Sequence, residues 1–280
     1  MNQEINSPFR YAGGKFYARK LILQYIVPHA SYVEPFAGGA SIFFAKPKAT
    51  HSWLNDIDSS LINTLTVIRN QPQKLIEALK EEVATKERYS YYKLEFIPRN
   101  DFEKALRWFY LNRTSYSGIM NTKNQFWGYG EKYSMRPENW PRNILRTSHK
   151  LQNVKLTSMD FEQVLEQVED ETFLFIDPPY YNADQEKFYN HSFTHADHLR
   201  LSEKLKQHAH RIKFLLTYDN CPEVRELYCW AQEKHEQEWF YTLNRTDDQR
   251  KNGSARRGGR YKGKELFILN YETTPILRLF

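Results

Sequence analysis

Residues 173–180 read Phe173-Leu174-Phe175-Ile176-Asp177-Pro178-Pro179-Tyr180. Four consecutive apolar residues that end at an acidic residue are typical of a central parallel strand, which is buried on both faces of its sheet. In open α/β sheets the ligand and the chemistry lie just beyond the carboxyl ends of such strands. The stretch therefore predicts an open α/β sheet whose functional residues begin at Asp177.

A strand-loop-helix unit lies near the N-terminus. Residues 31–34 predict a short strand and residues 41–45 the start of a helix, with Gly38 and Gly39 in the loop between them. The glycines let the backbone approach a ligand closely, and the start of the helix offers unpaired amide groups. Asp56 follows the next predicted strand, where an acid can bind ribose hydroxyls. The unit indicates a nucleotide-type cofactor.

NAD and S-adenosylmethionine are two ligands that such a unit can bind. The loop lacks the GxGxxG spacing that binds a pyrophosphate. Glu34 stands at the end of the strand instead, where a carboxylate would repel a pyrophosphate and attract a cationic amino group. The sequence therefore favours S-adenosylmethionine, with Glu34 as one of its contacts.

The Asp177-Pro178-Pro179-Tyr180 segment suits methyl transfer to an amino group of a base. Proline has no N–H to donate, and its ring fixes the backbone, which leaves the carbonyls of Asp177 and Pro178 free to accept. One carboxylate oxygen and one carbonyl can accept the two N–H groups of the adenine amine and direct its lone pair at a methyl donor. Tyr180 offers a ring on which the base can stack. A base in a duplex has to be flipped out first, and no metal ion is needed.

Composition narrows the class of protein and the partner. The chain has 280 residues, a net charge of +6 and an aromatic fraction of 15%, which suits a partner with phosphates and bases. It has no run of eighteen apolar residues and no apolar signal core, so we expect a cytoplasmic protein that does not associate with membranes. Its two cysteines, Cys221 and Cys229, exclude a disulfide framework, and no cysteine or histidine spacing indicates a metal site.

Two parts of the chain differ in pattern. Strands alternate with helices in residues 1–58 and 151–280, whereas residues 59–150 are mostly helical and contain no βαβ unit. We expect a discontinuous catalytic domain with a doubly wound, Rossmann-like α/β sheet, and a target-recognition domain inserted at 59–150.

Four segments occur in the order found in a known family. The chain resembles the Dam-type, alpha-group DNA adenine-N6 methyltransferases in Tyr11-Ala12-Gly13-Gly14-Lys15, Glu34-Pro35-Phe36-Ala37-Gly38-Gly39, Asn55-Asp56-Ile57 and Asp177-Pro178-Pro179-Tyr180. The resemblance implies an S-adenosylmethionine-dependent enzyme that acts on adenine in double-stranded DNA. It also implies cofactor contacts from Tyr11, Lys15, the Pro35-Phe36 loop, Asp56, Asp160, Phe161 and Asp177.

The resemblance extends into the predicted recognition domain. Residues 111–118 look like the family segment that leads into a DNA-reading hairpin, and basic residues of this region are expected to reach the DNA. From Tyr116 onward the sequence differs from the members that read GATC, so the recognition sequence stays open. The DNA contacts that we predict in this region are Arg113, Tyr116, Lys123 and Arg136.

Alternatives to adenine methylation of DNA remain at this point. The same catalytic segment suits N4 of cytosine or adenine in RNA, and a non-catalytic DNA-binding module could keep the fold. Intact Lys15 and Asp177 argue against the module, because binding alone does not need them. We expect a monomer or a weak dimer, and a cognate restriction endonuclease as a partner if the enzyme protects DNA against restriction.

A basic, glycine-containing segment precedes the last predicted strand. Residues 244–264 include eight lysines and arginines, among them Arg256, Arg257, Arg260 and Lys262. This composition predicts a loop that contacts DNA phosphates.

Replacing Arg256 and Arg257 together by alanine should weaken binding to all DNA sequences alike and reduce the salt dependence of affinity, because phosphate contacts release counterions. DNA binding measured over a series of salt concentrations tests this. An unchanged salt slope would exclude the segment as a phosphate contact.

Overall fold

The computed structural model describes residues 4–11, 13–131, 134–183, 190–241 and 261–273, with the backbone alone for 239–241 and 261–263. Seven strands form one sheet in this part of the chain. They are β1 (Ser31–Glu34), β2 (His51–Asn55), β3 (Val154–Thr157), β4 (Phe173–Ile176), β5 (Lys213–Asp219), β6 (Glu233–Tyr241) and β7 (Tyr261–Leu269).

The strand order is β3-β2-β1-β4-β5-β7-β6, and β7 runs antiparallel to both β5 and β6. The chain order reverses between β1 and β4, which pair in parallel at Tyr32 with Phe173 and at Val33 with Leu174. Connections after two such strands leave toward opposite faces, which opens a crevice at their carboxyl ends. The predicted open α/β sheet is thereby confirmed, and its crevice lies next to Asp177.

The sheet has two buried faces because alternate residues of each strand point to opposite sides. Tyr32 and Phe173 belong to one hydrophobic cluster, whereas Val33 and Leu174 belong to the other. This arrangement explains the unbroken apolar run before Asp177, since every position of β4 faces a core. Helices therefore have to cover both faces.

Ten α-helices occur in the described ranges. Residues with capping side chains start several of them: Asp58 accepts the amides of Ser60 and Leu61, and Thr194 forms a capping box with Asp197. None of the helices in these ranges combines the length and apolar character needed to cross a membrane. They are α1 (Arg19–Tyr25), α2 (Ser41–Ala45), α3 (Ser59–Asn70), α4 (Pro72–Leu79), α5 (Lys86–Ser90), α6 (Asp101–Thr114), α7 (Trp140–Leu151), α8 (Phe161–Gln167), α9 (His195–His208) and α10 (Pro222–Leu227).

Helices α3 to α7 make up most of the predicted recognition domain. The ring of Tyr92, in a π-helical turn at Tyr91–Glu95, stacks on Tyr110 of α6 with centroids 4.4 Å apart. Trp140 packs edge-on against the ring of Tyr110. The apolar residues of these helices and those on one face of the sheet form a single continuous cluster. The division into a catalytic domain and a recognition domain stays a prediction.

A buried side chain joins the helical region to the N-terminal segment. Asn112 of α6 accepts a hydrogen bond from the amide of Arg10 at 3.0 Å and donates to the Arg10 carbonyl at 2.8 Å, as a neighbouring strand would. Asn112 also donates to the Gly118 carbonyl at 3.3 Å. Gly118 has φ +70° and lies so near the Arg10 carbonyl that a β-carbon would sit 2.3 Å from its oxygen. Only glycine fits there.

Asn112→Ala should lower the free energy of unfolding by roughly 3 kcal/mol, because it leaves the amide and carbonyl of Arg10 without partners. Chemical denaturation of the purified protein measures this. Asn63→Ala is the matched control, since Asn63 makes one solvent-facing bond to the Asp101 carbonyl, and we expect a change within about 0.5 kcal/mol. Equal losses in the two variants would contradict the role of Asn112.

Candidate active site

The carboxyl ends of the parallel strands bring the predicted site residues to one edge of the sheet. Pro35 follows β1, Asp56 follows β2 and Asp177 follows β4, while Asp160 lies three residues beyond β3. The parallel register places these ends side by side. Residues that are far apart in sequence therefore border a common crevice.

A buried ion pair lies at the centre of this edge. The Nζ atom of Lys15 is 2.6 Å and 2.8 Å from the two carboxylate oxygens of Asp177, and it also donates to the Gly13 carbonyl at 3.1 Å. Thr217 of β5 donates its hydroxyl to Oδ1 of Asp177 at 2.7 Å. Lys15 is 4% exposed and Asp177 is 19% exposed. Buried Lys15 and Thr217 therefore hold the carboxylate, and part of it stays accessible to solvent.

The residues after Asp177 are fixed by further contacts. The ring of Tyr180 lies 4.8 Å from the Lys15 ammonium, and its hydroxyl donates to Glu265 of β7 at 2.5 Å. Asp219, at the end of β5, accepts the amides of Tyr181 and Asn182 at 2.9 Å and 3.0 Å. The backbone beyond the two prolines is therefore anchored to the neighbouring strand.

The glycine loop packs against the first motif. Gly38 has φ +47°, and a β-carbon there would lie 2.8 Å from the ring of Tyr11. A β-carbon on Gly39 would lie 3.0 Å from the Tyr11 side chain. The two glycines thus make room for Tyr11, and the segment that carries Lys15 lies directly over the β1 loop.

Asn55 and Asp56 connect three of the loops at this edge. The Asn55 amide donates to the carbonyls of Pro35 and Met159 at 3.0 Å and 2.9 Å. The carboxylate of Asp56 accepts the amide of Gly38 at 2.8 Å and that of Asp58 at 2.9 Å. Burial raises the pKa of Asp56 to about 6. These contacts fix the glycine loop relative to β2 and β3.

An aromatic cluster borders the β3 side of the crevice. Phe36 lies 5.4 Å from Phe161 and 5.6 Å from Phe193, measured between ring centroids. Arg200 of α9 lies 4.5 Å from the Phe161 ring and binds both carboxylate oxygens of Asp160 at 2.9 Å and 3.0 Å. Asp160 and Phe161, which are both predicted to contact the cofactor, thus share Arg200 as a partner.

The segment around residue 190 joins this edge to the predicted DNA-reading region. Asn190 accepts the amide of Thr122 at 3.2 Å and donates to the Met120 carbonyl at 3.3 Å. A bridge between Ser115 and Trp127 forms a short hairpin-like pairing nearby. No cluster of histidine, cysteine or acidic residues in the ranges described above has the arrangement of a metal site.

The chain matches one protein family over most of its length. The profile of the family described as D12 class N6 adenine-specific DNA methyltransferase matches residues 11–243. The chain belongs to this family. It is therefore an adenine-specific DNA methyltransferase, and the predicted Dam-type resemblance is confirmed.

Curated relatives of this methyltransferase carry related names. It is 29% identical to the type II methyltransferase M1.LlaDCHI of Lactococcus lactis subsp. cremoris, over 94% of this chain and 95% of the relative. It is 25% identical to the DNA adenine methylase of Escherichia coli K12, over 69% and 73% of the two chains. It is 30% identical to the DNA N-6-adenine-methyltransferase of Escherichia phage P1, over 79% of this chain and 31% of that protein.

Glu34 makes its hydrogen-bond contacts inside the fold. Its Oε1 accepts the Tyr32 hydroxyl at 2.7 Å and the amide of Phe43 in α2 at 2.8 Å, and the residue is 1% exposed. Burial raises its pKa to about 8, so the neutral acid is favoured near pH 7. A buried neutral acid attracts a cationic amino group weakly. The contacts of Glu34 pack α2 on β1, and its contact with the cofactor stays a prediction.

The predicted DNA contacts fall into three groups. Tyr116 is half-buried and stacks on the exposed ring of Phe126 at 5.1 Å, while Lys123 and Arg136 are exposed. Arg256, Arg257 and Arg260, and the side chain of Lys262, lie outside the described residues.

Arg113 forms the third group, because its placement argues against a DNA contact. The side chain is 4% exposed and donates to the Pro8 carbonyl at 3.2 Å. Burial next to Arg10 lowers its pKa to about 10. Arg113 is one of the buried residues of α6, which accounts for its low exposure.

Sequence reasoning missed several residues of this site. Thr217 stands out as a polar residue at the end of a buried apolar run, and Asp219 is an acid at the end of a strand, so both carried a signal. Glu265 and Arg200 carried none, because only the register of β7 and the packing of α9 bring them to the site.

Glu34→Gln should change how stability depends on pH. The folded-state pKa of Glu34 is raised from 4.5 to about 8, so its contribution to stability is present below about pH 4.5 and is lost as the pH rises through about 8. Glutamine still offers an oxygen to Tyr32 and Phe43 but does not ionise. Between pH 5 and pH 9 we expect the stability of the variant to rise relative to the wild type by up to about 4 kcal/mol.

Denaturant unfolding at pH 5, 7 and 9 measures that difference. Glu203→Gln, at an exposed position of α9, controls for the loss of one acidic group. A wild-type-to-variant difference that stays constant over this pH range would show that Glu34 is ionised throughout.

Proposed function

We propose that this methyltransferase transfers a methyl group from S-adenosylmethionine to N6 of a flipped-out adenine in double-stranded DNA. The contact that supports this best is the Lys15–Asp177 ion pair, which joins the first motif to the catalytic segment at the sheet crevice. Each carboxylate oxygen can accept more than one hydrogen bond. Asp177 can therefore keep its contacts to Lys15 and Thr217 and still accept an amine hydrogen.

The crevice between β1 and β4 fits this cofactor. Its border offers a loop with two glycines, a carboxylate at Asp56 and the faces of Phe36 and Phe161, which suit a ribose and a purine. The residues that would hold the cofactor are Tyr11, Lys15, Pro35, Phe36, Asp56, Asp160, Phe161 and Asp177. When bound, S-adenosylmethionine supplies an activated methyl group on a sulfonium.

Asp177 and Pro178 orient the target amine in this proposal. Neither of their carbonyl groups accepts a hydrogen bond from the described part of the chain, so both can bind an incoming N–H. With one N–H on the carboxylate and one on a carbonyl, the nitrogen lone pair is held in a single direction. Tyr180 supports the base by stacking. This placement reduces the freedom of the reactants before transfer.

The region around Tyr116 is the proposed DNA-reading surface. The rings of Tyr116 and Phe126 stack, and exposed Lys123 lies three residues before Phe126 in the chain. Asn190 binds this segment through the backbone of residues 120 and 122. An aromatic pair beside a positive charge suits contact with bases and phosphates.

The biological setting forms part of the proposal. The relative that matches nearly the whole chain is named a type II methyltransferase, which supports a restriction endonuclease of the same specificity as the functional partner. Action as a monomer or a weak dimer, and a cytoplasmic location, stay predictions from the sequence.

Expression in a host without DNA methylation, followed by single-molecule sequencing with modification detection, tests the function. We expect N6-methyladenine confined to one short sequence motif, which the experiment also identifies. Asp177→Ala should lower the rate of methylation at that motif at least about 100-fold, because the amine loses an acceptor, while DNA affinity changes little. Modified cytosine instead of adenine, or an active Asp177→Ala, would overturn the proposal.

A further inference from the structure

Glu265 is a buried acid at the catalytic edge for which the reaction scheme above has no use. It lies on the antiparallel strand β7, directly opposite Asp219 of β5, and is 2% exposed. Its Oε2 accepts the Tyr180 hydroxyl at 2.5 Å, across 85 positions of the chain. The one parallel-to-antiparallel change in the sheet thus brings Glu265 under the catalytic segment.

The surroundings of Glu265 shift the pKa values of both partners in this hydrogen bond. Burial raises the pKa of Glu265 to about 8; Lys15 counteracts this increase, and Asp177 and Asp219 add to it. Burial together with the charge of Glu265 raises the pKa of Tyr180 well above its usual value. The phenol therefore keeps its proton, which lets its hydroxyl donate the hydrogen bond to Oε2 of Glu265.

The second carboxyl oxygen of Glu265 indicates that this residue does not serve to stabilise the fold. Oε1 is buried and has no hydrogen-bond partner among the described residues. A buried carboxyl group with an unpaired oxygen destabilises a fold relative to an apolar residue of similar size. A residue with that effect at a catalytic edge points to a functional constraint.

Three contacts hold the side chain of Tyr180. Glu265 binds the hydroxyl at the far end of the ring, and the Lys15 ammonium lies 4.8 Å from the ring centroid. Tyr218 packs against the ring at 6.0 Å with a 34° angle between the planes. A tyrosine ring without an end contact can rotate about its side-chain bonds, whereas these contacts select one orientation.

We infer that Glu265 is a positioning residue, which fixes the plane of the Tyr180 ring so that the flipped adenine stacks with its amino group at Asp177. The inference rests on the proposed function. Glu265 touches neither the base nor the cofactor in this assignment, and it acts through the Tyr180 hydroxyl alone.

A double-mutant cycle between Glu265 and Tyr180 tests this assignment. Glu265→Leu and Tyr180→Phe should each reduce the single-turnover methylation rate about 10- to 100-fold, as expected for a misplaced reactant. The double variant should be no slower than about three-fold below the slower single variant, since both changes remove one contact. Glu265→Gln keeps an acceptor for the phenol and should restore most of the rate lost in Glu265→Leu.

Binding measurements separate positioning from folding. Affinity for DNA and for S-adenosylmethionine should change less than about three-fold in Glu265→Leu, so that the loss appears in the rate and not in binding. Extrusion of the base, reported by 2-aminopurine at the target position, should persist. Rate losses that multiply in the double variant, or a Glu265→Leu rate equal to the wild type, would overturn the inference.

A second acid–tyrosine pair provides the matched control. Glu82 accepts the Tyr92 hydroxyl at 2.7 Å in the helical region, away from the sheet edge. Glu82→Leu combined with Tyr180→Phe should show independent, multiplicative effects. The free energy of unfolding gives the same cycle without turnover: if the wild type methylates nothing, the proposed function fails, while coupling of Glu265 to Tyr180 in unfolding is still measured.

Discussion

The ion pair between Lys15 and Asp177 joins positions 162 residues apart, and the geometry of the whole edge depends on it. Lys15 also lies over the Tyr180 ring and donates to the Gly13 carbonyl. One ammonium group therefore contacts three parts of the site. A buried charge that loses its partner destabilises a protein by about 3–5 kcal/mol. The pair can therefore form only when the N-terminal segment is in place over the completed sheet.

The N-terminal segment contacts two regions that are far apart in the sequence. One is the region proposed to read DNA, and the other is the edge of the sheet that carries Asp177. Arg10 is bound by Asn112 of α6 and packs against Gly118, and only five residues later Lys15 reaches the catalytic carboxylate. The side chain of Asn190 binds the backbone of residues 120 and 122. Hydrogen bonds thus link the region proposed to read DNA to Arg10, five residues before Lys15, and to Asn190, thirteen residues after Asp177.

The sequence predicted those helices and strands whose bounds depend on nearby residues of the chain. The bounds of His195–His208 follow from its caps and its apolar spacing, and the strand before Asp177 follows from its unbroken apolar run. Helix α7 also carried a local signal, because Pro141 lies in its first turn and the buried residues Trp140, Ile144 and Leu151 recur at helical spacing. Arg113 and Glu34 are more buried than their residue types suggest, because residue type indicates charge whereas burial depends on neighbours from other elements, such as Pro8 and Phe43.

Two buried acids with similar pKa values show how function can be separated from packing. Glu34 accepts the hydroxyl of Tyr32 from its own strand and the amide of Phe43 from the next helix, so its contacts stay within one structural unit. Glu265 accepts a hydroxyl from the catalytic segment and has a second oxygen without a described partner. The same chemical group therefore stabilises a helix at one end of the crevice and orients an aromatic ring at the other. What distinguishes them is the element that each partner belongs to, which depends on strand order and cannot be derived from residue type.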